Sequence, residues 1–360
     1  MQQSQVKVLI VDDSAIVRKT MTDILQSDPG IEVMGYAHDP IFAMQKMEKS
    51  KPDVILLDIE MPRMDGLTFL KKIMSEDPIP VVICSTLTAK GAETTIQALE
   101  YGAADIICKP KMGVKEFIND SKITIIDAVK AACKVNIKKL GRVKMSASAK
   151  TQAKTPLIVK PRASMSETTE KIIAIGASTG GTEALRYVLD AMPANSPGIL
   201  IVQHMPEIFT EAFAQRMNKT SKLMVREAKH GDRLVPGLAL IAPGSHHMTL
   251  TRSGAYYRVE TLEGPLVSRH RPSVDVLFRS VARFAGNNAV GCIMTGMGKD
   301  GALGLKEMRD AGAKTVGQDE SSSVVYGMPR EAHKLGAVET QAALDSIPAT
   351  LINMVNRITH

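Results

Sequence analysis

Short, mainly apolar runs alternate with stretches of helical period along most of this chain. The runs read as strands at 6–11, 31–36, 54–57, 81–84 and 104–108. Between the first two, Val17, Met21, Ile24 and Leu25 fall at i, i+4, i+7 and i+8, the spacing of one helix face. Strands apolar throughout are covered on both faces, and strands alternating with helices form parallel sheets. The alternation lapses and then resumes with strands at 172–175, 199–202, 238–241 and 289–294. Helical stretches follow near 182–192, 274–284 and 303–311, and a hairpin-like stretch around 256–261 interrupts the series. The pattern predicts an α/β protein of two doubly wound parallel-sheet domains, at 1–135 and 169–360, joined by a linker at 136–168.

Composition agrees and excludes alternatives. At roughly 150 residues per domain, 360 residues suit two domains. With 44% hydrophobic and 23% charged residues, wholesale disorder is excluded. No apolar run reaches the ~18 residues of a membrane span, so no membrane insertion is expected. The opening MQQSQVKVLIVDD sets two aspartates straight after a short apolar run, unlike a secretory signal, so a cytoplasmic location is expected. Cys84, Cys108, Cys133 and Cys292 lie far apart with no metal spacing, and read as small hydrophobes in a reducing compartment.

The net charge of +7 belongs to one place. Between Lys134 and Lys171 stand ten Lys and Arg against two acids, leaving 35 basic and 36 acidic residues elsewhere. This Ser-, Thr-, Ala-, Lys- and Pro-rich segment lacks an apolar period and reads as the basic, flexible interdomain linker. The flanking regions carry net charges of only −4 and +3, so neither has a strong basic excess and no nucleic-acid partner is expected.

In open parallel sheets, ligands bind beyond the carboxyl ends of the strands. The first strand delivers Asp12 and Asp13 there, the third Asp58, the fourth Ser85, and the fifth Lys109. Singly, such an Asp is often a helix cap and Lys-Pro often a turn. Together, the clustered carboxylates call for a cation, and all-oxygen ligation suits Mg²⁺. One carboxylate can then accept a phosphoryl group while metal and lysine balance the charge. Residues 6–109 resemble the receiver domain of two-component response regulators. The resemblance implies a flavodoxin-like fold, Asp58 as the phosphorylated residue, and Asp12, Asp13 and Asp58 as metal ligands. It further implies Lys109 as the phosphoryl-contacting lysine and Ser85 as the switch hydroxyl. Where the family often carries an aromatic residue, this chain has Ile106, so an aromatic rotamer switch is not expected. The stretch IEMPRMDG after Asp58 would close the site, with Gly66 in its turn.

In the second domain, KIIAIGASTGG runs from an apolar strand into a Gly-rich turn and a helix. Ser178 stands where a dinucleotide fingerprint has its middle glycine, so a phosphate loop is one reading. Gly176-Ala177-Ser178-Thr179-Gly180 also matches G-x-S-x-G, a turn that exposes a serine beside a helix N-terminus able to hold an oxyanion. A serine nucleophile needs a base and an orienting acid. His204 follows the strand GILIVQ and reaches the same edge. His230, His246 and His247 are weaker by position, and His270 in SRHRPS could line the site. AVGCIMTGMGKDG delivers Asp300 beside glycines, while Asp275 and Asp232 follow no comparable strand. The order Ser, His, Asp is not that of the α/β-hydrolases, so that fold is not implied.

IGASTGG, VQHMP, HRPSVD and MTGMGKDG behind a receiver together resemble the chemotaxis protein-glutamate methylesterases, over nearly the whole chain outside the linker. The resemblance implies a Rossmann-like serine hydrolase with Ser178 as nucleophile, His204 as base and Asp300 as orienting acid. Thr179, Gly180, Met297 and His270 would line the substrate or oxyanion site. The implied substrates are γ-glutamyl methyl esters, and also glutamines, on the cytoplasmic domain of methyl-accepting chemoreceptors. A chemotaxis histidine kinase would be the phosphodonor, Mg²⁺ would serve the receiver, and the catalytic domain would need no cofactor. Two rivals are a DNA-binding output domain, which requires a basic helix-turn-helix, and a nucleotide-binding domain, which leaves His204 and Asp300 without roles.

Overall fold

The computed structural model describes residues 5–61, 64–86, 89–110, 115–137 and 170–358. The predicted linker, 136–168, falls almost entirely outside them, as do Pro62 and Arg63 of the loop after Asp58.

The first domain runs β1 (Val6–Val11), α1 (Ala15–Gln26), β2 (Ile31–Ala37), α2 (Pro40–Lys49), β3 (Val54–Asp58), α3 (Gly66–Glu76), β4 (Val81–Ser85), α4 (Ala89–Glu100), β5 (Asp105–Cys108) and α5 (Lys115–Cys133). The strands form a parallel sheet ordered β2-β1-β3-β4-β5, the flavodoxin-like order. Helix starts follow capping chemistry, with Ser14, Asp39 and Asp65 accepting from Val17, Phe42 and Thr68 N–H. β3 and β4 are buried along their whole length, as apolar runs sandwiched by helices must be.

The second domain centres on β6 (Ile172–Ala177), β7 (Gly198–Gln203), β8 (Met224–Glu227), β9 (Leu238–Ile241), β12 (Ala289–Ile293), β13 (Lys314–Gln318) and β14 (Thr340–Ala342). They form one parallel sheet ordered β14-β13-β12-β6-β7-β9-β8. Strand order reverses between β6 and β12, the switch point where such sheets open a crevice. The hairpin-like stretch is an antiparallel pair, β10 (His247–Ser253) with β11 (Tyr256–Leu262), outside the main sheet. Helices span Gly181–Ala191, Glu207–Thr220, Val274–Phe284, Ala302–Asp310, Met328–Lys334 and Ile347–Arg357. The hydrophobic period missed β8, β13 and β14, whose short runs mix polar with apolar residues.

The two domains pack on each other. Ile96 and Leu99 of α4 join Phe209 and Phe213 in one continuous apolar cluster. Val324 and Val325 sit in a cluster otherwise built from the first domain. Glu100 pairs with Arg216, and Asp127 with Arg269 at 3.4 Å.

Close approach fixes Gly176 on β6: a Cβ there would stand 2.2 Å from Val274 Cγ1. Gly176→Ala should therefore lower the stability of the second domain by about 1–3 kcal/mol through overpacking. Denaturant unfolding checks this, and an unchanged midpoint would contradict the close packing of β6 on helix Val274–Phe284.

Candidate active site

In the first domain, Asp12 and Asp58 are buried and Asp13 is exposed, and their oxygens lie within 4.8 Å of one another. The Lys109 ammonium sits 2.8 Å from Asp12 and 2.7 Å from Asp58. Burial pushes the Asp58 carboxyl up to about 6, against the opposing pull of Lys109. Burial also works against the lysine cation, but Asp12 and Asp58 outweigh it and hold its pKa above the usual value. Three converging carboxylates with one cation among them suit a divalent, oxygen-ligated ion. Gly66 closes the turn after Asp58 at a distance only glycine allows, since a Cβ there would lie 2.1 Å from the Asp58 carbonyl oxygen. The buried Ser85 hydroxyl does not contact Asp58. It accepts from Thr95 of α4 at 2.9 Å and donates to the Thr86 carbonyl at 3.3 Å, so it is tied to the helix that meets the second domain.

In the second domain, three strand ends meet at the switch point. β6 leads into Ser178, whose N–H donates to Thr295 O at 3.0 Å. Gly180 takes φ 76 with Val324 against its α-carbon, and Gly181 opens helix Gly181–Ala191 with no side-chain cap. The Gly181 N–H donates to the Ser178 carbonyl at 2.7 Å, and the positive end of this helix stands beside Ser178. β7 leads into His204, and Gln203 Nε2 bridges the Ser178 and His204 carbonyls at 2.9 and 3.0 Å. β12 leads through a glycine-rich turn to Asp300.

The His204–Asp300 pair is in place, with Nε2 2.8 Å from Oδ2. A carboxylate only accepts, so Nε2 carries the proton and the lone pair lies on Nδ1. Nδ1 is buried and has no hydrogen-bond partner among the described residues. His204 and Ser178 line the same small space, and no Ser178–His204 hydrogen bond is formed.

Asp300 is held from several sides. Ser273 Oγ donates to Oδ1 at 2.7 Å, Asp275 N–H to Oδ1 at 3.1 Å, and Val274 N–H to Oδ2 at 2.7 Å. The carboxylate thus sits on the N-terminus of helix Val274–Phe284, where the backbone favours negative charge. Burial alone would raise its pKa, but the bonds from His204, Ser273 and Val274 outweigh this and hold it down at about 2. Asp275, the rival acid, turns away from His204 and accepts from Gly304 N–H at 2.8 Å, capping the next helix.

The remaining expectations divide. His270 stacks on His204, ring centroids 3.7 Å apart and 10° from parallel. Burial, aided by the fields of His204 and Arg269, pushes its pKa down to about 3, so it is neutral near pH 7. Thr179 and Gly180 flank Ser178, and the Thr179 hydroxyl donates to Asp105 Oδ2 at 2.9 Å. Met297 packs with the Val324–Val325 cluster.

Asp105 was invisible to motif reasoning, because it looks like an ordinary residue at the start of a receiver strand. With Leu99 and Ile106 it closes the space beside Ser178, Gly180 and His204. What remains is about 10 Å³, roughly one water molecule's need. Asp105 is half-buried, and burial pushes its carboxyl up to about 6 against the bonds from Ile106 N–H and Thr179. Ser273 and His247 were also missed, because their partners lie 18 or more residues away in sequence.

A family model for CheB methylesterase matches residues 173–351, and one for the response regulator receiver domain matches residues 8–119. The "Protein-glutamate methylesterase/protein-glutamine glutaminase 3" of Geobacter metallireducens is 58% identical over 351 residues, covering 97% of this chain and 99% of that protein. A relative named "Protein-glutamate methylesterase/protein-glutamine glutaminase 2", from Pseudomonas syringae pv. tomato, is 57% identical over 357 residues, covering 98% and 100%. The crystal structure of the Thermotoga maritima CheB methylesterase catalytic domain is 34% identical with a TM-score of 0.51, covering 53% of this chain and 100% of that one.

Proposed function

The chain belongs to the protein-glutamate methylesterase/protein-glutamine glutaminase family, and on that premise we propose that Ser178, His204 and Asp300 form its hydrolytic centre, covered by its own receiver domain. The protein is a hydrolase of chemotaxis adaptation, regulated by phosphorylation. It removes methyl groups from glutamate γ-methyl esters and deamidates glutamines. The observation that carries the residue assignment is the His204 Nε2–Asp300 bond, which leaves Nδ1 as a buried, unpartnered base beside Ser178.

His204 Nδ1 takes the Ser178 hydroxyl proton as Oγ bonds to the ester carbonyl carbon. The carbonyl oxygen becomes an anion beside the open N-terminus of helix Gly181–Ala191, with Thr179 and Gly180 at its mouth. Collapse breaks the bond to methoxide, which leaves as methanol with the proton from Nδ1; from a glutamine, ammonia leaves instead. Water then attacks the γ-glutamyl ester of Ser178, its proton passing to Nδ1 and on to Oγ. Asp300 fixes the tautomer and balances the imidazolium, and neutral His270 presses on the imidazole face. The roles match the familiar serine triad, with the two ring nitrogens exchanged.

Asp58 is the proposed phosphorylation site. Asp12, Asp13 and Asp58 would hold Mg²⁺, which supplies charge neutralisation during phosphoryl transfer, and Lys109 would contact the phosphoryl oxygens. The substrates are glutamyl side chains of the cytoplasmic domain of chemoreceptors, a chemotaxis histidine kinase is the phosphodonor, and the protein works in the cytoplasm. No helix among the described residues is long and apolar enough to cross a membrane. The proposed units are the receiver at 1–135, the linker at 136–168 and the hydrolase at 169–360.

The contacts of Leu99, Asp105 and Ile106 support a receiver that closes the cleft before phosphorylation. Phosphorylated Asp58 would draw on Lys109 and Ser85, and Ser85 is coupled through Thr95 to α4. Movement of α4 and β5 then lifts Asp105 from Thr179.

Ser178→Ala and His204→Ala should each abolish methanol release from methylated receptor membranes with circular dichroism unchanged, because such groups act as a unit. Asp300→Asn should be milder. A folded Ser178→Ala enzyme with substantial activity would refute the nucleophile. Asp105→Ala removes one hydrogen bond from the closed state, so basal activity without phosphodonor should rise about three- to tenfold. An unchanged basal rate would show that this contact does not hold the cleft shut. Because the Asp58 carboxyl is raised to about 6, it is protonated below that pH and cannot ligate. Mg²⁺ affinity measured by calorimetry should be flat above about pH 7 and fall about tenfold per pH unit well below 6. A pH-independent affinity between 5 and 7.5 would place the metal elsewhere.

A further inference from the structure

His247 belongs to no motif and contacts neither Ser178 nor His204, yet it is a buried imidazole with both ring nitrogens engaged. Nδ1 accepts the Ser273 N–H at 3.2 Å, and Nε2 lies 2.9 Å from the Pro265 carbonyl. A backbone N–H can only donate and a carbonyl can only accept, so the partners fix the tautomer: Nε2 carries the proton. One ring therefore pins both ends of the segment running from Pro265 to Ser273.

That segment needs pinning. Ser268 and Arg269 hold φ of 52° and 69°, left-handed values that cost side-chain-bearing residues energy. Both outputs of the segment reach His204. His270 stacks on the imidazole, and Ser273 donates to Asp300, which holds Nε2. A shift of Ser273 would move the start of helix Val274–Phe284, and with it the N–H groups of Val274 and Asp275 that bind the same carboxylate.

We propose that His247 is a positioning residue for the hydrolysis: through Ser273 and the 265–273 segment it sets the Asp300 carboxylate and the His270 ring against His204. The inference rests on His204 being the base.

The test uses the full chain with phosphodonor and Mg²⁺, so that the cleft is open, and follows methanol release from methylated receptor membranes. In His247→Asn the amide oxygen falls near the place of Nδ1 and can still accept from Ser273. In His247→Gln the amide reaches the place of Nε2 and keeps only the Pro265 contact. The Gln variant and Ser273→Ala should each lose about ten- to hundredfold in kcat, with KM within about twofold, because a charge-orienting bond is loosened while substrate binding is untouched. The Asn variant should recover kcat to within about threefold of the parent. A merely structural histidine would give equal losses in the Asn and Gln variants, or lowered melting temperatures with unchanged kcat, and either result overturns the inference. If the Gln variant does not fold, Ser273→Ala decides alone, an unchanged kcat being the contrary result. His204→Ala runs alongside: an inactive His204→Ala beside a fully active Gln variant overturns this inference alone. An active one overturns the base assignment and this inference with it.

Discussion

Everything at the proposed hydrolytic centre depends on keeping one carboxylate charged inside the protein. Asp300 is 2% exposed, and burying an unpaired carboxylate is prohibitively costly. The fold meets that cost with the backbone N–H groups opening helix Val274–Phe284, the Ser273 hydroxyl and the His204 imidazole. Asp275, in the first turn of that helix, caps helix Ala302–Asp310 through Gly304, and Asp300 lies just before that second helix. The two carboxylates therefore cap each other's helices. Gly304 lets the pair approach, since a Cβ there would lie 2.8 Å from Phe278 Cβ. Because Asp300 is fixed, the His204 tautomer is fixed, and the free lone pair is on Nδ1.

The second dependence runs between domains. The receiver supplies a wall of the cleft, and the contact is both apolar, through α4, and polar, through Asp105, Glu100 and Asp127. In the proposed account this mixed interface rests closed and is shifted by one phosphoryl group on Asp58. A shift from 1:99 to 99:1 would take about 5.5 kcal/mol of differential stability. Loosening a few of these contacts supplies part of it, which suits graded activation.

Much of this was legible in the sequence, for a physical reason. Parallel strands are apolar throughout and deliver polar residues at one edge. The runs ending at Asp12, Asp58, Lys109, Ser178 and His204 therefore announced both their strands and the edge where these polar side chains gather. Asp300 was readable because a glycine-rich turn follows its strand. The edge strands Met224–Glu227 and Thr340–Ala342, and Lys314–Gln318 next to the edge, lacked a clean run and were missed. Asp105, Ser273 and His247 were missed for another reason. Each acts through a partner far along the chain, and nothing local distinguishes them from an ordinary strand residue, helix start or loop histidine.

The central claim is that His204 activates the residue at position 178 in a cleft that the receiver covers. Ser178→Cys replaces the hydroxyl with a thiol whose alkylation reports both, with Cys133, already exposed, as internal reference. Mass spectrometry after limited iodoacetamide treatment of the full chain gives the rate at each thiol. The account predicts that Cys133 reacts at the same rate throughout, whereas the thiol at 178 is slow in the unphosphorylated protein and overtakes Cys133 once phosphodonor and Mg²⁺ are added. Equal rates at 178 with and without phosphodonor, or a thiol there that never exceeds Cys133, would contradict it.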